Sequence, residues 1–160
     1  MISTANAVII ITISAMVIAQ VLKFFIDFAI NKKPNESILI STGGMPSSHS
    51  ALVTSLVTAI GLFQIYDTGK IGLEFAISFV LALVVVHDSM GIRYEASKHA
   101  RALNEIKLRL NLIENIDIEE KKFKESLGHK PKEVLAGILL GCLVAVLGFV
   151  LFRLIWEHLG

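Results

Sequence analysis

Ser41-Thr42-Gly43-Gly44-Met45-Pro46-Ser47-Ser48-His49-Ser50 is a small, polar, glycine-bearing run, and an apolar segment follows it from Ala51 to about Ile65. Such a junction reads as a loop entering a helix. Gly43 and Gly44 permit backbone conformations that other residues resist, and Pro46 suits a first helical turn, where its missing N–H costs nothing. A helix that begins here points its free N–H groups and the positive end of its dipole into the loop. Ser47, Ser48 and His49 add side-chain donors, so the stretch suits an anion such as phosphate. The same residues also serve an ordinary helix cap, because Gly-Gly and Ser-Ser pairs are common in turns. Taken alone, the stretch leaves both readings open.

The surrounding chain decides what kind of helix this is. Of its 160 residues 54% are hydrophobic, and the mean hydropathy is +0.68. Both lie far above the values of soluble domains and predict an all-α, polytopic membrane protein. The length suits one integral membrane domain over residues 1–160, and three prolines with no low-complexity tract argue against a second. Cys142 is the single cysteine, which excludes a disulfide framework and a cysteine metal site. The formal net charge is only +1, and no nucleic-acid partner is expected.

Four apolar runs are long enough to span a bilayer, at about residues 2–25, 47–65, 71–88 and 131–156. The first lacks the positive n-region of a signal peptide and exceeds the usual h-region, so it reads as a retained helix. Near its end Gln20, Lys23 and Asp27 share one helical face. That face looks inward, or else Lys23 snorkels to the interface. In the second run Ser50, Thr54 and Thr58 repeat every four residues, which points to close helix packing for the two threonines rather than to catalysis. Asp67 and Gly69 mark a turn over Tyr66 to Lys70. The third run ends in His87-Asp88-Ser89-Met90-Gly91-Ile92-Arg93, either a stop signal or part of a site. The fourth carries Gly137, Gly141, Ala145 and Gly148, the small-residue face of tightly packed membrane helices.

A polar helical insert of about residues 93–130 separates the third and fourth spans. Ala96, Ala100, Leu103, Ile106, Leu110 and Ile113 form an apolar stripe, opposed by Glu95, Lys98, Arg101, Asn104, Lys107 and Arg109. This amphipathic helix suits the membrane surface or another subunit, and with the glycine face of the last span it leaves a homo-oligomer open. Asp117 and Glu120 resemble a capping box for a shorter helix running to about Leu127, which Gly128 ends. Lys121, Lys122 and Lys124 read as a solvated face, His99 as a surface residue, and His158 beside Trp156 as part of an interfacial belt.

With four spans, loops 31–46 and 93–131 share one side and both termini lie on the other. Only Lys70 and Arg153 of the fifteen Lys and Arg fall on the side of the termini. The positive-inside rule therefore makes the loops cytoplasmic in a multi-pass cell-membrane protein. The same topology gathers Lys23, the Gly43 to Ser50 loop, Asp88 with Arg93, and His129 with Glu133 at one membrane face. Together they offer phosphate chemistry. Glu133 can orient His129 as a nucleophile, and His49 can give and take the proton. Arg93 and Lys23 can neutralise phosphate oxygens.

These residues resemble a known group. Pro46-Ser47-Ser48-His49 is similar to the proline-serine-glycine-histidine motif of the type 2 phosphatidic acid phosphatase superfamily, which includes bacterial acid phosphatases and vanadium haloperoxidases. His129 followed four residues later by Glu133 is similar to its histidine and acid. The whole chain resembles the small divergent branch described as acid phosphatase and vanadium-dependent haloperoxidase related. The likeness lies in Ser41 to Ser50, Asp88 to Arg93, Leu103-Asn104, Leu127 to Val134, and Gln20 with Lys23. It implies a phosphorylated His129, a general acid at His49, and no metal or cofactor. Ser48 stands where the motif has glycine, Glu133 where it has aspartate, and no serine-arginine pair precedes His129 by six residues. The expected substrate is a phospholipid or isoprenoid phosphate or diphosphate, with membrane lipids as the other partners. Catalytic roles are expected for His129, His49 and Glu133, and substrate binding for Lys23, Gly43, Gly44, Ser47, Ser48, Asp88 and Arg93. Two rivals use the same residues: a phosphate-binding or transporting protein working through Lys23, Asp88 and Arg93, and a metal module built on His49, His87, Asp88 and His129.

Overall fold

The computed structural model describes residues 3–32, 43–114, 123 and 128–159. Among these the chain forms five helices: α1 (Thr4–Asn31), α2 (Ser48–Thr68), α3 (Leu73–Met90), α4 (Ile92–Glu114) and α5 (Pro131–Leu159). Four stretches are long and apolar enough to cross a membrane, carried by α1, α2, α3 with its continuation into α4, and α5. The proposed capping box at Asp117 and Glu120 lies outside the described residues, as do Lys121, Lys122 and Lys124.

The helices end where local chemistry stops them. Ser3 caps α1 by accepting the Asn6 N–H at 3.2 Å. That helix runs to Asn31, well past the expected end at Phe25, so Lys23 and Asp27 lie inside it. Helix α2 continues to Thr68 and stops at Gly69, whose φ of 69° is the left-handed conformation that glycine adopts cheaply. The expected turn at Tyr66 thus begins three residues later. Gln64 closes it by accepting the Gly72 N–H at 2.8 Å and donating to Glu74 at 2.7 Å. Pro46 does not open α2. It precedes the cap residue Ser47, with a cis Met45–Pro46 peptide.

Helix α2 is the centre of the bundle. It packs on α1, α3 and α5, whereas α1 and α3 do not meet among the described residues. Small residues line the interior: Ala15, Ala19, Ala51, Ala59 and Ala145 are fully buried. Large ones face outward, with Ile10, Leu83, Leu139 and Leu143 all exposed. This is the arrangement expected where the surroundings are hydrocarbon, since lipid solvates leucine well and the helices gain by close backbone approach.

The glycine face of α5 makes that approach within the chain. A Cβ on Gly137 would collide with the Ser47 carbonyl oxygen. One on Gly141 would lie 2.5 Å from the Ala51 carbonyl oxygen, and one on Gly148 would lie 2.7 Å from Ile11 Cγ1. The threonines of α2 serve the same contact. Thr54 donates to Ser50 O at 2.6 Å and reaches Ile138 O at 3.4 Å, while Thr58 donates to Thr54 O at 2.8 Å.

Helix α4 follows α3 after a break at Gly91 and touches no other helix among the described residues. Ala100 and Ser97 are buried, but Leu103, Ile106 and Leu110 of the predicted stripe are exposed. His99 is exposed, as expected. The Asn104 side chain holds the Phe123 backbone by two hydrogen bonds, of 2.9 and 3.0 Å.

Gly141→Ala is expected to lower the thermal unfolding midpoint of the protein in detergent, at a cost of about 1–3 kcal/mol from overpacking. Leu139→Ala, on the outward face of the same helix, is expected to change it little.

Candidate functional site

The site forms where the start of α2 meets the start of α5. Ser47 is the α2 cap, its hydroxyl accepting from the Ser50 N–H at 3.3 Å and the Ser50 hydroxyl at 3.0 Å. Its own N–H donates to the Glu133 carbonyl oxygen at 3.0 Å, which ties the two helix starts together. Helix α5 opens with Pro131, which suits its first turn. Glu133 then reaches back to accept the Lys130 N–H at 3.2 Å, the carboxylate half of a capping box. Two positive dipole ends therefore converge on one place.

His129 sits in that place, 2% exposed. Its backbone N–H donates to Ser89 O at 3.0 Å, which fixes the loop against the end of α3. Its Nδ1 lies 3.2 Å from Glu133 Oε2. With its Nδ1–H donating to Glu133, the ring keeps its lone pair on Nε2, and that atom is buried with no hydrogen-bond partner among the described residues. Burial pushes the His129 pKa below its ordinary 6.5; the hydrogen bond and charge of Glu133 oppose this, and the positive charges of Lys23 and His49 add to it. The neutral imidazole is thus the form present at neutral pH. Facing it is the His49 ring, with centroids 6.3 Å apart, carried on the first turn of α2 and exposed.

Lys23 is 1% exposed, one of the most buried side chains in the protein. The snorkelling alternative is therefore wrong. Lys23 follows Ala15 and Ala19 at four-residue spacing on the inward stripe of α1, so the helix carries it into the bundle. Its stem lies against Gly44, where a Cβ would be 3.2 Å from Lys23 Cδ, and Gly44 has a φ of 97°. Gly44 is thus needed twice, for its backbone conformation and for the room it leaves the lysine. Gly43 is buried beside it, as are Ser47 and Ser48.

The remaining expected residues are placed less closely. Asp88 is partly buried in the last turn of α3, next to the Ser89 carbonyl that holds His129. Arg93 lies in the first turn of α4, and its side chain is outside the described residues. His87 is exposed on α3, and the described residues hold no group of three or more His, Cys, Asp or Glu able to grip a metal ion. No sequence signal marks Ser89 as a site residue, because its contribution is a backbone carbonyl.

Comparison with known proteins agrees with this architecture. A family model described as the divergent PAP2 family matches residues 4–144, from the start of α1 into the middle of α5. The chain is also similar to the uncharacterized membrane protein YuiD of Bacillus subtilis (strain 168), 36% identical over 144 residues, which cover 84% of this chain and 89% of that protein. No solved structure matches significantly. The match to the family model includes all the residues brought together here, from Lys23 through the Ser47 cap to His129 and Glu133, and the chain belongs to the divergent PAP2 family.

Proposed function

We propose that the protein is a membrane-embedded phosphatase that hydrolyses a lipid phosphate monoester or diphosphate through a phosphohistidine at His129. The observation that carries this reading is the state of the His129 ring. One nitrogen is fixed by Glu133, while the other is buried with no hydrogen-bond partner among the described residues, in a site that also holds His49 and Lys23. Such a nitrogen is a nucleophile whose ring orientation is already set.

In the first step Nε2 attacks phosphorus, the bond from phosphorus to the leaving oxygen breaks, and His49 gives that oxygen a proton. In the second, water attacks the phosphohistidine and passes a proton to His49; the P–N bond breaks and inorganic phosphate leaves. Glu133 stabilises the imidazolium character that develops on His129. Lys23 and the helix starts at Ser48 and Pro131 favour the phosphate charge. Arg93 and Asp88 belong to the rim of the site in this scheme. Membership in a divergent PAP2 family supports the reaction class, and the position at helix ends supports a lipid, whose head group can enter while its tail stays in the bilayer. The distribution of Lys and Arg supports a cytoplasm-facing site.

Purified protein in liposomes is expected to release phosphate from at least one of phosphatidic acid, phosphatidylglycerol phosphate and a prenyl diphosphate, undiminished by chelator. His129→Ala should lower the rate at least about a thousandfold. A wild type as inactive as His129→Ala on every substrate contradicts the proposal and favours a phosphate-binding or transporting protein. Because burial lowers the His129 pKa, the neutral nucleophile persists to lower pH than an exposed histidine allows. The acidic limb of the pH–rate profile should therefore fall below pH 6.5, and Glu133→Gln should move it further down, because the opposing carboxylate charge is gone.

A further inference from the structure

Helix α4 carries an apolar face that no described helix covers. It touches only α3 among the described residues, and Leu103, Ile106 and Leu110 stand exposed along one side of it. Their spacings of three and four residues put them on a single face. Exposed to water, three large apolar side chains in a row mark a contact surface. Residues 95–110 are nevertheless too charged to enter the hydrocarbon themselves, since they hold four Lys or Arg and two Glu.

Depth and charge identify the partner. Helix α4 starts at Ile92, directly after the break at Gly91, and the Ser89 carbonyl just before that break accepts the His129 N–H at 3.0 Å. The start of α4 is therefore level with Lys130 and Lys132, the exposed lysines that flank the start of α5. Exposed lysines at the end of a span stand among the head groups. As for charge, the ion pairs Glu95–Lys98 and Glu105–Arg109, each of 2.7 Å, match two of the four cations. Arg101 and Lys107 remain as an excess of positive charge over residues 95–110. A second copy of α4 would bring the same excess against it, whereas an anionic lipid surface neutralises it. We infer that α4 docks along the membrane surface on anionic head groups, with Leu103, Ile106 and Leu110 dipping into the boundary between head groups and acyl chains. The partner is the bilayer surface itself, separate from any molecule bound at His129.

The test uses the full chain in liposomes. Ile106→Trp and Leu108→Trp are made in a Trp156→Phe background, so that each protein carries one tryptophan. Leu108 is exposed as well, but two residues on it lies ~200° round the helix, so it reports the face turned away. Both substitutions leave the packed interior and the charge of α4 untouched. The liposomes are phosphatidylcholine alone or an equal mixture with phosphatidylglycerol. Quenching is read from lipid brominated near the top of its acyl chains and, separately, from acrylamide in the water.

With phosphatidylglycerol present, Ile106→Trp is expected to be quenched several-fold more than Leu108→Trp by the brominated lipid, and several-fold less by acrylamide. The difference should shrink in phosphatidylcholine alone, and also at ~1 M salt, where the screening length is only about 3 Å. Equal bromine quenching at the two positions overturns the inference. So does quenching of Ile106→Trp that is the same in both lipids, which removes the role of charge. Protection of Ile106→Trp from acrylamide without bromine quenching, lost as the protein is diluted with lipid, overturns it in favour of a second copy. None of these readings depends on hydrolysis, so phosphate release can fail while α4 stays docked, and the reverse.

Discussion

The close approach of α5 to α2 is the contact on which the rest of the molecule depends. Gly137 and Gly141 let the α5 backbone come within touching distance of the Ser47 and Ala51 carbonyls. At that separation the Ser47 N–H reaches the Glu133 carbonyl oxygen. Two helix starts that are more than eighty residues apart in the chain then share one space. Each is capped by its own sequence, α2 by Ser47 and α5 by Glu133. Neither start would enclose the His129 side chain alone. Their junction directs two dipoles at one point and leaves His129 enclosed between them.

Burial then sets the chemistry. A lysine and a histidine inside a bundle of apolar helices are expensive to keep there, so each has to be held by specific neighbours. Glu133 spends one carboxylate on both the His129 ring and the Lys130 N–H, serving as helix cap and ring orienter at once. Removing the Glu133 side-chain acceptor would therefore loosen the start of α5 and the His129 ring together, whereas glutamine can still cap the helix. Gly44 plays the matching part for Lys23, giving up a side chain so that the lysine stem can pass.

Much of this was legible in the sequence. Hydropathy marked four spans, and the small-residue spacing in α5 and the hydroxyl spacing in α2 marked the faces that meet. Topology then placed Lys23, the Ser47 cap, Asp88 and His129 at one end. What stayed hidden was pairwise. Nothing in the sequence says that Gly44 packs on Lys23, and without that contact a snorkelling lysine fits the same pattern. The Ser89 carbonyl has no signature at all, because every residue has one. Helix ends were misplaced where side chains decide them: Gln64 and Thr68 extend α2 through their own hydrogen bonds, and hydropathy does not register those. The apolar stripe of α4 was visible, but the sequence could not say that Leu103, Ile106 and Leu110 stay exposed.

The account turns on a covalent bond between His129 Nε2 and phosphorus. The most direct measurement is acid quenching of the protein within milliseconds of mixing with a radiolabelled lipid phosphate, followed by analysis of the label on the chain. The account predicts label on His129 in the acid-labile, alkali-stable form of a phosphohistidine, absent from His129→Ala. Phosphate release with no label on the chain, or label that survives His129→Ala, would contradict it.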